Sequence, residues 1–189
     1  VPVVSFLKKY LSLFVGLAIV GLIVLVWLET SRITGDVSVT GSNGATAAVS
    51  GARVTLYIVT EEQEQRLSAS LADLQQQNQQ NKTANARVFP AESTDEVTRS
   101  NLASYNNLSD TRHCFALEKV VDEIRKSAVR KETTDSQGHF GFRALPGHYF
   151  LEIIGQPNSQ YVLFVEPVEP RWHTHFKLAD PTCRYTMTN

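Results

Sequence analysis

The sequence is short of the residues from which most catalytic motifs are built. It holds two cysteines, five histidines and one methionine in 189 residues. None of them is set in a CxxC, an HExxH or a zinc-finger spacing, and there is no glycine-rich phosphate loop and no GxSxG elbow. Excess charge is lacking too, the net value being -1. Of the 18 basic residues, Lys8 and Lys9 stand near the start, which leaves 16 against 19 acidic residues elsewhere. That balance excludes a nucleic-acid surface. The length accommodates one ordinary domain plus additions.

Charge is wholly absent from Tyr10 to Leu28. As a helix this run is about 28 Å long, close to the thickness of a bilayer's hydrocarbon core, and it predicts a transmembrane helix over 10–28. A buried core helix is rarely apolar on every side, and a signal-peptide core is shorter and ends in small residues that LETSRITG does not offer. Lys8 and Lys9 before the run, with Glu29, Arg32 and Asp36 after it, place 1–9 in the cytoplasm and the rest in the periplasm or an equivalent exterior space. Tyr10 and Trp27 suit the two interfaces of an inner cell membrane. Gly16 and Gly21, with Ser12, offer notches for a neighbouring helix, and the lipid bilayer is itself an expected partner. In the exterior compartment Cys114 and Cys183 are expected to form a disulfide; the alternative is two buried, inert thiols.

Beyond a linker at 29–33 the pattern becomes that of strands. Val37 and Val39 alternate with polar residues in GDVSVT, and Arg53 to Val59 is rich in β-branched residues. The stretch TTDSQGHFGFRALPGHYFLE sets two alternating runs around two turns. Asp135 and Gly138 form the first turn, Pro146 and Gly147 the second. Tyr161 to Val165 is a nearly continuous apolar run, and Arg171 to Leu178 alternates again.

These segments together resemble the carboxypeptidase regulatory-like family of transthyretin-like (prealbumin-like) β-sandwiches. The resemblance rests on Gly51, Ala52, Val54 and Leu56, on Thr134, Asp135, Gly138, Phe140 and Phe142, and on Leu145, Pro146, Gly147, Tyr149 and Leu151. It implies a mainly β fold: a seven-stranded, transthyretin-like (Ig-like) sandwich over 34–180, with a tail at 181–189. Transthyretin-like hydrolases of a urate derivative end in Tyr-Arg-Gly-Ser, which the tail Cys183-Arg184-Tyr185-Thr186 does not match. The resemblance therefore implies no enzyme.

Residues 60–131 depart from that family and read as a helical insertion. Leu67, Leu71 and Leu74 lie at i, i+4 and i+7 of one helix, and they are the candidate partner contacts. A Ser93-x-x-Glu96 capping box predicts a short helix to about Tyr105. A further helix begins at Asp110 and carries Cys114, Leu117, Val120, Val121, Ile124 and Ala128 on one stripe.

His173 and His175 share a strand face at a spacing that metal sites use. Arg171 and Lys177 flank them and disfavour a bound cation, so no metal and no other cofactor is expected. The sequence thus predicts a non-catalytic, single-pass accessory subunit of an integral membrane protein complex. Its sandwich and insertion would make protein contacts, with no nucleic acid and no small-molecule substrate. The alternative is a membrane-tethered carbohydrate- or peptidoglycan-binding module using Trp172 or Tyr161, although alternation turns Trp172 toward the core.

Overall fold

The computed structural model describes residues 15–22, 31–41, 44–90, 92–169 and 173–187. Alternating burial in Ser31–Thr40 (β1) makes this strand the hub of one sheet: Ile33, Val37 and Val39 face inward while polar residues face out. It pairs antiparallel with Thr46–Ala48 (β2) and His139–Ala144 (β5), and parallel with His173–Leu178 (β8). The second sheet has the order β4-β3-β6-β7-β9, formed by Ala128–Thr133, Arg53–Val59, His148–Gly155, Gln160–Val168 and Cys183–Thr186. Between the sheets lies a core that includes Ile33, Val54, Leu56, Phe140, Phe142, Leu151, Ile153 and Phe164.

Two glycines lie where the hub strand and its neighbours come too close for a side chain. Gly35 lies opposite Phe140, and a Cβ on Gly35 would come within 2.5 Å of the Phe140 ring. Gly138 turns the chain at φ 81, and a Cβ there would sit 2.3 Å from the Val37 carbonyl. Asp135 closes the same turn, its carboxylate accepting from the backbone of Gln137 at 2.8 Å and His139 at 2.9 Å. Those hydrogen bonds hold its pKa below the ordinary value. Beside it, buried Thr134 accepts from the Ala52 backbone and donates to the Val49 carbonyl, clipping the turn before β3.

Glu61–Val88 (α1) and Glu96–Asp122 (α2) form an antiparallel pair that covers the outer face of the second sheet. Leu67, Leu117, Val121 and Ile124 meet Tyr57, Phe150, Leu163 and Val165 in a second core. The molecule is therefore layered as sheet, sheet and helix pair.

Several expectations are corrected. Among the described residues the sandwich has nine strands rather than seven. The first strand begins at Ser31, inside the expected linker; β4 occupies the end of the expected insertion, and β9 lies in the expected tail. In β4 five of six residues are exposed, so this edge strand has no apolar alternation to reveal it. The transmembrane helix is corrected as well. Residues 15–22 are helical with Val15, Leu17, Ile19, Val20 and Leu22 exposed, about 12 Å in all. Among the described residues no helix is long and apolar enough to cross a membrane. The remainder of 10–28, with Tyr10 and Trp27, lies outside the described residues, as do Lys8 and Lys9.

The two expected helices after Ser93 are one. Asp95 caps it, accepting from Val97 and Thr98, while Ser93 accepts from the Asp95 backbone. Asp110, expected as a cap, sits within the helix and binds Asn78 and Lys82 of α1.

Candidate functional site, an arm and the cleft at its root

The helix pair has two halves with different physics. Near the sandwich it is anchored by apolar burial, by the disulfide between Cys114 of α2 and Cys183 of β9, and by polar ties. His113 is buried, with Nε2 3.3 Å from the Thr182 carbonyl, and burial lowers its pKa. His148 pairs with Glu64 at the start of α1. Thr60 caps that helix reciprocally with Gln63.

Farther out the burial stops. Between Asn78 and His113 no described residue is buried. The two helices are held there by side-chain bonds: Asn78 to Asp110 at 3.0 Å, Ser109 to Asn78 at 2.8 Å, Asn85 to Asn106 at 3.2 Å. Lys82 pairs with Asp110 at 2.8 Å, and Phe89 stacks on Tyr105. Val88, Val97, Tyr105 and Leu108 are exposed on this arm. Val97, Leu108 and Phe115, spaced 11 and 7 residues apart, fall on one side of α2 at 3.6 residues per turn.

At the root of the arm lies a buried charge. Glu152 is 1% exposed in the middle of β6. The Tyr57 hydroxyl donates to it, and Arg125 Nη2 donates from 3.0 Å. Arg125 also pairs with Asp122. Burial works against the guanidinium charge, but Glu152 and Asp122 outweigh it and raise the pKa of Arg125. Burial, then the Glu152 hydrogen bond, pushes the Tyr57 hydroxyl up to about 12. Beside this group a depression of ≈ 490 Å³ opens, with Arg53, Glu118, Arg125, Gln156 and Tyr161 on its walls.

The structure places the sequence-derived site residues as follows. Leu67 is buried, and Leu71 and Leu74 pack against the same cluster. They seat α1 on its own sheet, which corrects their assignment as partner contacts. A Cβ added to Gly16 or Gly21 would meet nothing within 4 Å, so no described helix is seated in those notches. Tyr161 is buried, donates to Glu118 and stacks on Tyr185, so it offers no sugar platform. Trp172 lies outside the described residues.

His173 and His175 are both on the exposed side of β8. His175 contacts Asp36 at 3.2 Å and the Thr34 hydroxyl at 3.1 Å. His139 reaches the other oxygen of Asp36 at 3.5 Å. Hydroxyl, imidazole and carboxylate thus follow one another, but on an open sheet face where water screens them. Among the described residues no group of three or more His, Cys, Asp or Glu side chains is arranged to hold a metal ion.

Sequence reasoning missed Arg53, Arg125, Glu118 and Glu152. One signal was available: Glu152 is the lone acid in the apolar run YFLEIIG, and an acid so placed requires a buried partner.

No protein-family model matches the chain, and no curated protein matches it. Among solved structures it is similar to "a putative carbohydrate binding protein" from Pseudomonas aeruginosa, with 16% identity over 81% of this chain and 90% of that one, at a TM-score of 0.38. It is also similar to the Bacillus anthracis TIE protein, with 10% identity over 79% of this chain and 17% of that one, at a TM-score of 0.34. Likenesses this loose say nothing of what the chain binds.

Proposed function

We propose that the protein is a non-catalytic interaction module, in which the sandwich is the scaffold and the outer half of the helix pair is an arm that contacts a protein partner. One observation carries this reading: the arm exposes Val88, Val97, Tyr105 and Leu108 while burying nothing of its own. A helix pair with that surface has little reason to persist unless another molecule covers it. The Cys114–Cys183 disulfide supports an oxidising compartment, periplasmic or extracellular. The test is a photo-crosslinking residue at Val97 or Leu108 in the native host. A single discrete adduct, lost when Val97 and Leu108 are both changed to Asp, is the expected result. Adducts no different from those of a crosslinker at exposed Val129 of β4 would sink the reading.

A second reading, a carbohydrate-binding module, is supported by the cleft at the arm's root. Its volume suits one or two sugar rings, and its walls offer guanidinium, amide and carboxylate groups. Binding on a glycan array that disappears in Arg53→Gln would favour it.

A further inference from the structure

The cleft is not alone. A second depression of ≈ 170 Å³ is lined by Arg53, Thr55, Tyr57, Arg125 and Lys131, so the two share Arg53 and Arg125. The register explains the grouping. Thr55 lies opposite Lys131 on one side and Glu152 on the other, and Arg53 follows two residues before on the same face. This is the part of the outer sheet face beyond the end of α2.

The charges around these depressions are unequally satisfied. Arg125 is committed through both terminal nitrogens, to Asp122 and Glu152, and its Nε is buried without a hydrogen-bond partner. Glu118 accepts from the Tyr161 hydroxyl and has further acceptor capacity. Arg53 and Lys131 are both exposed and form no side-chain ion pair or hydrogen bond with described residues. Taken together as one joint depression across their shared Arg53 and Arg125, the two have a cationic end, Arg53 and Lys131, and an end of hydrogen-bonding groups, Glu118 and Gln156.

We infer that this joint depression binds a sugar acid, with its carboxylate at Arg53 and Lys131 and its ring hydroxyls at Glu118 and Gln156. A bare anion would use only the cationic end and be repelled by Glu118. A neutral sugar would leave both cations unanswered. A hexuronate answers both ends, the planar Arg53 fork being suited to two parallel bonds to a carboxylate. Such a site rests on the carbohydrate reading and is independent of the arm.

Isothermal titration of the full chain with sodium glucuronate, glucose and inorganic phosphate in parallel tests it. Glucuronate is expected to bind more tightly than either of the others. Arg53→Gln with Lys131→Gln should weaken it by about tenfold or more, and Glu118→Gln should weaken glucuronate while strengthening phosphate. The exposed cations can be changed without loss of fold, which an unchanged melting midpoint would verify. Glucose binding as well as glucuronate would overturn the inference and leave the carbohydrate reading standing. Phosphate binding as well as glucuronate, indifferent to Glu118, would reduce the site to an anion site and overturn it. No heat with either sugar up to millimolar concentration would overturn both.

Discussion

Glu152, Tyr57 and Arg125 show how a charge is tolerated under the helix layer. The carboxylate is almost completely removed from water, which is costly unless a cation and a donor meet it. Tyr57 and Arg125 do so. Removing the cation should then cost more than removing the charge it answers. Arg125→Met is expected to destabilise the protein by about 3 kcal/mol or more, because Glu152 stays buried and unpaired. Glu152→Gln keeps an acceptor oxygen for Arg125 and turns its amide NH2 to the Tyr57 hydroxyl, which can accept, and should cost roughly 1 kcal/mol. Urea unfolding of both variants decides it: equal losses would mean that charge is irrelevant and only hydrogen bonding counts. His113 gives a pH dependence of definite sign. Burial lowers its pKa in the fold below the ordinary 6.5, so the folded state prefers the neutral ring. Its contribution is present above pH 6.5 and is lost as pH falls below that value toward the lowered pKa. His113→Gln, whose amide can still donate to the Thr182 carbonyl, should flatten the stability profile between pH 7 and pH 5. An unchanged slope would place the titration elsewhere.

At the scale of elements, the short last strand is held by more than its ladder. β9 pairs with β7 over four residues only. Its Cys183 is bonded to α2, its Thr186 backbone donates to Asn107 at 3.0 Å, and Arg184 donates to the Thr40 carbonyl of the other sheet at 3.0 Å. Changing both cysteines to alanine should lower stability by about 2–5 kcal/mol, and amide exchange should rise first at β9 and the facing turn of α2. Exchange that rises uniformly would show that the bond acts on the unfolded chain alone. The same elements explain what the sequence discloses. The two strands between His139 and Gly155 were legible because the turns before and between them carry Asp135, Gly138, Pro146 and Gly147 beside alternating runs, but they are no hairpin: β5 pairs with β1 in one sheet and β6 with β3 and β7 in the other. The helix stripe with Cys114, Leu117 and Val121 was legible because it is buried, but the helix stops at Asp122: Ile124 is buried in the turn beyond it and Ala128 begins β4. The outer half of α2 was legible only as a short helix to about Tyr105; its run through 106–109 into the next stretch was not, since it buries nothing there and so shows no stripe. The charged, exposed strand β4 was not legible for the same reason, although Arg130, Lys131 and Glu132 suit an edge that must avoid pairing with other chains. The cleft was invisible because its walls come from β3, β4, α2, the turn after α2 and the end of β6, and no spacing links them.

Taken as a whole, the molecule divides into a three-layer body with two apolar cores and an arm with none. The division implies that body and arm are separable in stability and in function. Asn78 and Ser109 face each other across the helix pair at 2.8 Å, so a short Gly/Ser turn replacing residues 80–108 would join the helices where burial begins. Only exposed or partly exposed residues are removed, the Asn107 partner of the Thr186 backbone among them, so the truncated protein should unfold within about 2 kcal/mol of the full chain. Far-UV circular dichroism should report the lost helix. If the arm is the partner surface, the partner identified through the Val97 crosslink should no longer co-purify with the truncated protein, while sugar-acid binding at the root persists, since Arg53, Lys131, Glu118 and Gln156 all remain. Loss of both activities together would show that the arm is needed to shape the cleft, and gross destabilisation would show that the outer half supports the body after all.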